Sequence, residues 1–339
     1  MKDSRTPRRA RGGPVSNMNA IFLIPSELAG CMRRKGYKRL TPRAIIELAA
    51  PPTWSASVMP VLLAAALTIA QTGALPIPLF FSLLATSVCM QCAVNTLNDY
   101  ADFMAGVDRR ENCGDPTDAS IVYHDYEPVL AFVAGMGFIL LGLLCGLYAI
   151  LSVGPELLVF GGIGAAVVFA YSYGPLPLCY TPVGEALSGV VMGGIVPVAC
   201  VYAMTGSLSP LAALCSIPLI VTIGLVMLAN NGSDIEKDLG SRRMTLPARI
   251  GRPAAIRLHV ALFAAAMACA AAIVLLFFRN GAWLLPLFCA WTIPQECRLA
   301  KAGLLPENRI VSMSLATATN IRLNALYIAM VLMPDVTQL

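Results

Sequence analysis

Charged side chains are scarce in this sequence: Asp, Glu, Lys and Arg make up 13% of its 339 residues, against roughly 25% in ordinary soluble domains. That deficit excludes a conventional solvated globular surface. Histidine is nearly absent, with only His124 and His259 present, and neither belongs to a ligand cluster; each is expected at a loop or a helix start. One CxxC pair, Cys89 to Cys92, lies inside an apolar run without a second pair beside it, so zinc and redox chemistry have little support. The 11 cysteines are scattered along apolar runs and are expected to act as packing residues. The N-terminus lacks a secretory h-region, because the only apolar patch before residue 40 is Ile21-Phe-Leu-Ile24 and about 7–15 residues are needed.

What the sequence has instead is length of apolar run. With 57% hydrophobic residues, it offers runs near 54–70, 77–98, 128–151, 154–173, 184–204, 210–230, 254–278, 281–297 and 311–333. Each has the roughly 17–25 residues that cross a bilayer core as helix. The expected fold class is an all-α membrane protein, a bundle of about nine transmembrane helices around a central cavity open to the cytoplasmic side. Pro286 and Pro294 interrupt the eighth run. Residues 1–40 read as a basic cytoplasmic tail, and 41–339 as the membrane domain. Placing the N-terminus inside puts 22 of the 24 Lys and Arg residues on the cytoplasmic side, leaving only Arg279 outside and Arg322 within a helix, as the positive-inside rule requires. A multi-pass protein of the cell's inner or plasma membrane is expected, with the lipid bilayer as its surroundings and no nucleic-acid partner. Thr41-Pro42 starts a short interfacial helix.

Two acidic stretches end apolar runs on that cytoplasmic face. The first contains Asn98, Asp99, Asp102 and Asp108, and the second Asn230, Asp234 and Asp238. Residues four apart share a helix face, so Asn98 with Asp102, and Asn230 with Asp234 and Asp238, form stripes. Hard oxygen ligands without His or Cys suit Mg²⁺. Either stretch alone could be a solvated or loop-ordering set of carboxylates; two on one face, each at the mouth of an apolar helix, point to a shared site. An EF-hand is ruled out, since Leu239 and Thr245 occupy the positions that require Gly and Glu. Mg²⁺ held this way completes its shell with water and phosphate, which implies a phosphorylated ligand. Membrane walls add a hydrocarbon part, and a polyprenyl diphosphate meets both demands. Arg109, Arg110, Lys237, Arg242 and Arg243 are candidate diphosphate donors, although each Arg also serves topology. The loop from Tyr171 to Glu185, with three Pro and three Tyr, is either a wall for a flat aromatic co-substrate, through Tyr171 and Tyr173, or an interfacial Tyr belt. Gly142/Gly146 and Gly189/Gly193 are spaced for close helix packing. Arg322 either snorkels toward the interface or pairs with a site carboxylate.

Taken together, these stretches resemble the UbiA superfamily of intramembrane aromatic prenyltransferases over about residues 45–335. The second motif is present as Asn230, Asp234 and Asp238; the first is present as Asn98 and Asp102, with Gly106 in the third acidic place and Asp108 two residues later. The Asn-Asp-Tyr-x-Asp-x-x-x-Gly-x-Asp form, Gly174-Pro175 through Gly184-Glu185, and Asp238 running on to Arg243-Met-Thr-Leu246 and Arg249-Ile-Gly251 are most similar to the branch that prenylates 1,4-dihydroxy-2-naphthoate in menaquinone biosynthesis. The resemblance implies Mg²⁺-dependent prenyl transfer from a polyprenyl diphosphate to an aromatic acceptor. Asp102, Asp108, Asp234 and Asp238 would be catalytic. The metal set would be Asn98, Asp99, Asp102, Asp108, Asn230, Asp234 and Asp238, and Asn98, Asn230, Arg109, Lys237, Arg243, Tyr171 and Tyr173 would bind substrate. The loop acids Asp115 and Asp118 depart from the basic loop of that branch. 4-Hydroxybenzoate or another aromatic or lipid acceptor is the alternative, and a cation-coupled transporter is the alternative of a different class.

Overall fold

A computed structural model describes residues 36–111, 119–172, 177–241 and 243–333. The basic tail up to residue 35, Asp115, Asp118, Tyr173, Gly174-Pro175 and Arg242 lie outside the described residues. Among those described, all regular structure is helical. α1 (Pro42–Leu48) opens the chain, with the Thr41 hydroxyl accepting the Ala44 amide as N-cap. α2 (Ser55–Thr72), α3 (Ile77–Ala105), α4 (Pro128–Val153), α5 (Leu157–Ser172), α6 (Gly184–Thr205), α7 (Pro210–Ser233), α8 (Ile235–Gly240), α9 (Arg252–Phe277), α10 (Leu285–Ala302) and α11 (Arg309–Val331) follow.

Among the described residues, six helices are long and apolar enough to cross a membrane: α2 with the turn before it, α3, α4, α6, α7 and α9. The runs assigned to α5, α10 and α11 are helical too, but shorter or more polar. Pro286 sits in the first turn of α10, where its missing N–H costs nothing, and Pro294 lies within that helix. The main core joins α2, α6, α7, α9, α10 and α11 around Phe278, Phe288 and Tyr327, each fully buried. Gly189 and Gly193 let α6 lie directly on α7: a Cβ at Gly193 would stand 2.5 Å from the Ile220 nitrogen. This stretch of α6, Gly189–Ile195, is wound as π-helix.

Two helices set up the site. α3 has 29 residues, about 43 Å at 1.5 Å per residue, so it outruns a hydrocarbon core of about 30 Å. Its polar last turns therefore fall beyond the apolar zone. α7 ends at Ser233, and the chain turns at Asp234 into α8. A corner before α2 is tied to α3: Asn95 donates to the Ala49 carbonyl at 3.0 Å and to the Thr53 hydroxyl at 2.8 Å, holding Ala50 at φ 47°.

Two expectations about isolated polar residues are corrected. His259 is neither a loop nor a helix-start residue: it is buried in α9, with its Nδ1 2.8 Å from Glu296 Oε1 of α10. Among the described residues Arg322 reaches no carboxylate, which corrects the pairing alternative. It donates to the Trp291 carbonyl at 3.4 Å and lies 5.4 Å from the centre of that indole, a cation–π arrangement.

Candidate active site

The end of α3 explains the displaced third acid of the first stretch. Gly106 takes φ 70° and caps the helix, a left-handed conformation that glycine adopts without a Cβ penalty. The chain then folds back, and the amides of Val107 and Asp108 both donate to the Asp102 carbonyl, at 3.0 and 3.3 Å. Asp108 thus returns to the side of Asp102 although it is two residues out of the regular spacing. There its carboxylate meets Lys237 Nζ of α8 at 2.7 Å.

Three cations sit on the acidic stretches, and two of them, Lys237 and Arg243, join one stretch to the other. Lys237 links Asp108 to α8. Arg243 bridges the stretches directly, with Nη1 3.2 Å from Asp102 Oδ2 and Nε 3.2 Å from Asp238 Oδ1; the side chains of this trio are 11%, 7% and 1% exposed. Arg309, at the start of α11, donates from Nε to Asp234 Oδ1 at 2.9 Å and from Nη2 to Asn230 Oδ1 at 2.7 Å. Asn98 donates to Asp102 Oδ2 at 3.2 Å and accepts from the Ser172 hydroxyl at 3.1 Å.

The sequence-derived residues are therefore mostly brought together, with differences. Asp99 points elsewhere, its Oδ2 accepting the Ser120 amide at 3.0 Å at the head of the short helix Ser120–His124. Arg109 is exposed and donates to the Gly106 carbonyl, and Arg110 pairs with Asp125. Tyr171 ends α5. A tyrosine not singled out from the sequence, Tyr180, joins the cluster: its hydroxyl donates to Asp102 Oδ1 at 2.7 Å, and the Arg243 guanidinium stands 4.9 Å from its ring centre. Arg309 and Tyr180 gave no sequence signal of this role, beyond Tyr180 lying in the Pro- and Tyr-rich loop.

Supporting contacts hold the cluster. The Thr245 hydroxyl donates to Asp238 Oδ2 at 2.8 Å, the Met244 amide to the Tyr180 carbonyl at 2.9 Å, and Asn231 to Glu185 Oε1 at 2.8 Å. Burial raises the Asp238 carboxyl to about 6, against the downward pull of Arg243 and Thr245. Burial also raises the Tyr180 hydroxyl, helped by Asp102. For Arg243 burial opposes the charge, but Asp102 and Asp238 outweigh it and hold the guanidinium protonated.

The Asp238 shift has a definite sign. A carboxyl raised on folding binds its proton more tightly in the folded state, so its stabilising contribution is present below about pH 4 and lost as pH rises through about 6. Asp238→Asn should accordingly shrink the loss of stability between pH 4.5 and 7 relative to wild type. Denaturation curves of metal-free protein at the two pH values check this, and equal losses in both proteins would contradict it.

Among the described residues, no three His, Cys, Asp or Glu side chains converge into a complete metal cage. The donors present are nonetheless oxygen-only, from two chain stretches, and Mg²⁺ typically takes one or two carboxylates with water and phosphate. The set fits that ion with a phosphorylated ligand, and the surrounding cations fit the phosphate.

Comparison with known proteins agrees. The UbiA prenyltransferase family matches residues 57–303. The chain is 31% identical over 277 residues to 1,4-dihydroxy-2-naphthoate octaprenyltransferase of Bacillus subtilis (strain 168), covering 81% of this chain and 87% of that protein. Solved structures of a UbiA homologue from Archaeoglobus fulgidus, bound to DMAPP and Mg²⁺ in one case and to GPP and Mg²⁺ in another, share the fold at TM-score 0.60 and 16% identity, covering 84% of this chain and 99% of theirs. The transporter alternative falls away, because this integral, multi-pass membrane chain belongs to the UbiA prenyltransferase family and is a prenyltransferase.

Proposed function

We propose that this prenyltransferase moves a polyprenyl group from a polyprenyl diphosphate to 1,4-dihydroxy-2-naphthoate, at a site facing the cytoplasm of a nine-span bundle. The observation that carries the reading is the Arg243 bridge between Asp102 and Asp238, which brings both acidic stretches to one point beside three cations. Similarity to the Bacillus naphthoate octaprenyltransferase supports the acceptor.

Asn98, Asp102, Asp108, Asn230, Asp234 and Asp238 would hold Mg²⁺, which supplies Lewis-acid neutralisation of the departing diphosphate. Lys237, Arg243 and Arg309 offer N–H donors to the same diphosphate and stay fixed by the carboxylates as its charge grows, so little reorganisation is needed. The allylic C–O bond breaks with its electron pair leaving on the diphosphate. The ring carbon bearing the carboxylate supplies the pair for the new C–C bond, and that carboxylate departs as carbon dioxide. Tyr180, held by Asp102, stands where it can face the ring or the cation.

Purified protein in nanodiscs, given one polyprenyl diphosphate and a panel of acceptors, tests this by mass spectrometry. A demethylmenaquinone-type product from the naphthoate, dependent on Mg²⁺, is expected. Product from 4-hydroxybenzoate alone would overturn the acceptor assignment.

A further inference from the structure

The turn after α10 adopts a conformation that its sequence disfavours. Leu304 has φ 52°, in the left-handed region where a bulky side chain is an outlier. Gly303 precedes it at φ 80°, so the turn has a glycine and still places a leucine in the strained position. Conformations of this sort persist where the surroundings over-determine them, and they cluster at functional sites.

The surroundings here are the second acidic corner. Leu304 is 1% exposed, and its side chain lies over Gly232, between Asn230 and Asp234: a Cβ on Gly232 would stand 2.7 Å from Leu304 Cδ1. The Leu304 carbonyl accepts from Arg252 Nε at 2.7 Å, while Nη1 and Nη2 of that arginine hold Glu236 of α8 at 3.0 and 2.7 Å. Asn308 closes the turn by donating to the Ala302 carbonyl at 3.1 Å. The next residue is Arg309, which grips Asp234 and Asn230. Residues 303–309 therefore reach the corner from three sides: on the Gly232 backbone, on Glu236 through Arg252, and on the two ligand-type side chains through Arg309.

We propose that this turn is a brace for the second acidic corner, in which Leu304 is a positioning residue that sets where α7 ends and hence where Asp234 and Asp238 stand. Loss of the Leu304 side chain frees that end even though the backbone becomes more relaxed. The brace itself follows from the contacts above; its effect on Mg²⁺ rests on the proposed function.

Hydrogen–deuterium exchange of the full chain in nanodiscs, comparing wild type with Leu304→Gly and Leu304→Met, is the test. Glycine is at ease at φ 52° and lacks the wedge, whereas methionine keeps it. Exchange across residues 228–240 should be about tenfold faster in Leu304→Gly and near wild type in Leu304→Met, with α2 unchanged in both. The Mg²⁺ concentration for half-maximal turnover should rise about tenfold in Leu304→Gly. Unchanged exchange in 228–240, or an equal rise throughout the chain, would overturn the brace. Turnover without Mg²⁺ dependence in wild type would instead sink the functional reading, while the exchange data still decide the brace.

Discussion

Replacing Asp102 by Asn is expected to lower turnover about 10²–10³-fold, the usual effect of removing one preorganised electrostatic group, while the bundle stays folded. The substitution keeps the size of the side chain but removes its charge. It also sets an amide among donors: Asp102 now accepts from Tyr180, Asn98 and Arg243, and the single acceptor oxygen of an Asn amide has two lone pairs for those three donors. Asp234→Asn should behave alike, because Asp234 faces Arg309 at 2.9 Å. Asp99→Asn provides the contrast. Its carboxylate serves the Ser120 amide, so most of the turnover should survive. Initial rates at saturating Mg²⁺ decide the matter, and near-wild-type turnover in Asp102→Asn would refute the site assignment.

Arg243→Met should have the largest effect on stability. This arginine is the counter-charge shared by Asp102 and Asp238, all three being at least 89% buried by side-chain exposures of 11%, 7% and 1%. Removing one partner of a buried ionic group leaves the others uncompensated and costs about 3–5 kcal/mol. Adding Asp238→Asn to Arg243→Met should recover part of that loss, because one of the two stranded carboxylates disappears. Mg²⁺ with pyrophosphate should also recover part, by supplying positive charge at the same place and by binding only the folded form. Thermal unfolding in detergent, with and without Mg²⁺ and pyrophosphate, measures both effects. A melting temperature within about 2 °C of wild type, equivalent to under roughly 1 kcal/mol, would show that Arg243 is a topology residue only.

The acidic stretches were legible because their periodicity is local. A four-residue spacing shows which side chains share one face of one helix, and Asn98/Asp102 and Asn230/Asp234/Asp238 need no more than that. The Gly106 and Asp108 displacement could be seen but not resolved. Only a left-handed cap at Gly106 returns Asp108 to Lys237, and a glycine in sequence does not reveal the direction in which the chain leaves. Tyr180 was not singled out because an aromatic-rich loop does not disclose which of its rings meets Asp102. Arg309 was overlooked as a site residue because it lies 75 residues from Asp234, at the start of another helix, where a lone basic residue reads as topology. His259 and Arg322 show the same limit, since their partners Glu296 and Trp291 stand on neighbouring helices.

The sequence by itself determined the medium, the helical class, the chemistry of the donors and the pairing of two acidic helix ends. It did so because bilayer length, charge scarcity and helical spacing are properties of contiguous residues. Tertiary structure alone decided which cation meets which carboxylate: Lys237 with Asp108, Arg243 between Asp102 and Asp238, Arg309 on Asp234 and Asn230. Those partners come from different helix ends, and which of them share one small volume is set by how the helices pack and where each chain reversal points.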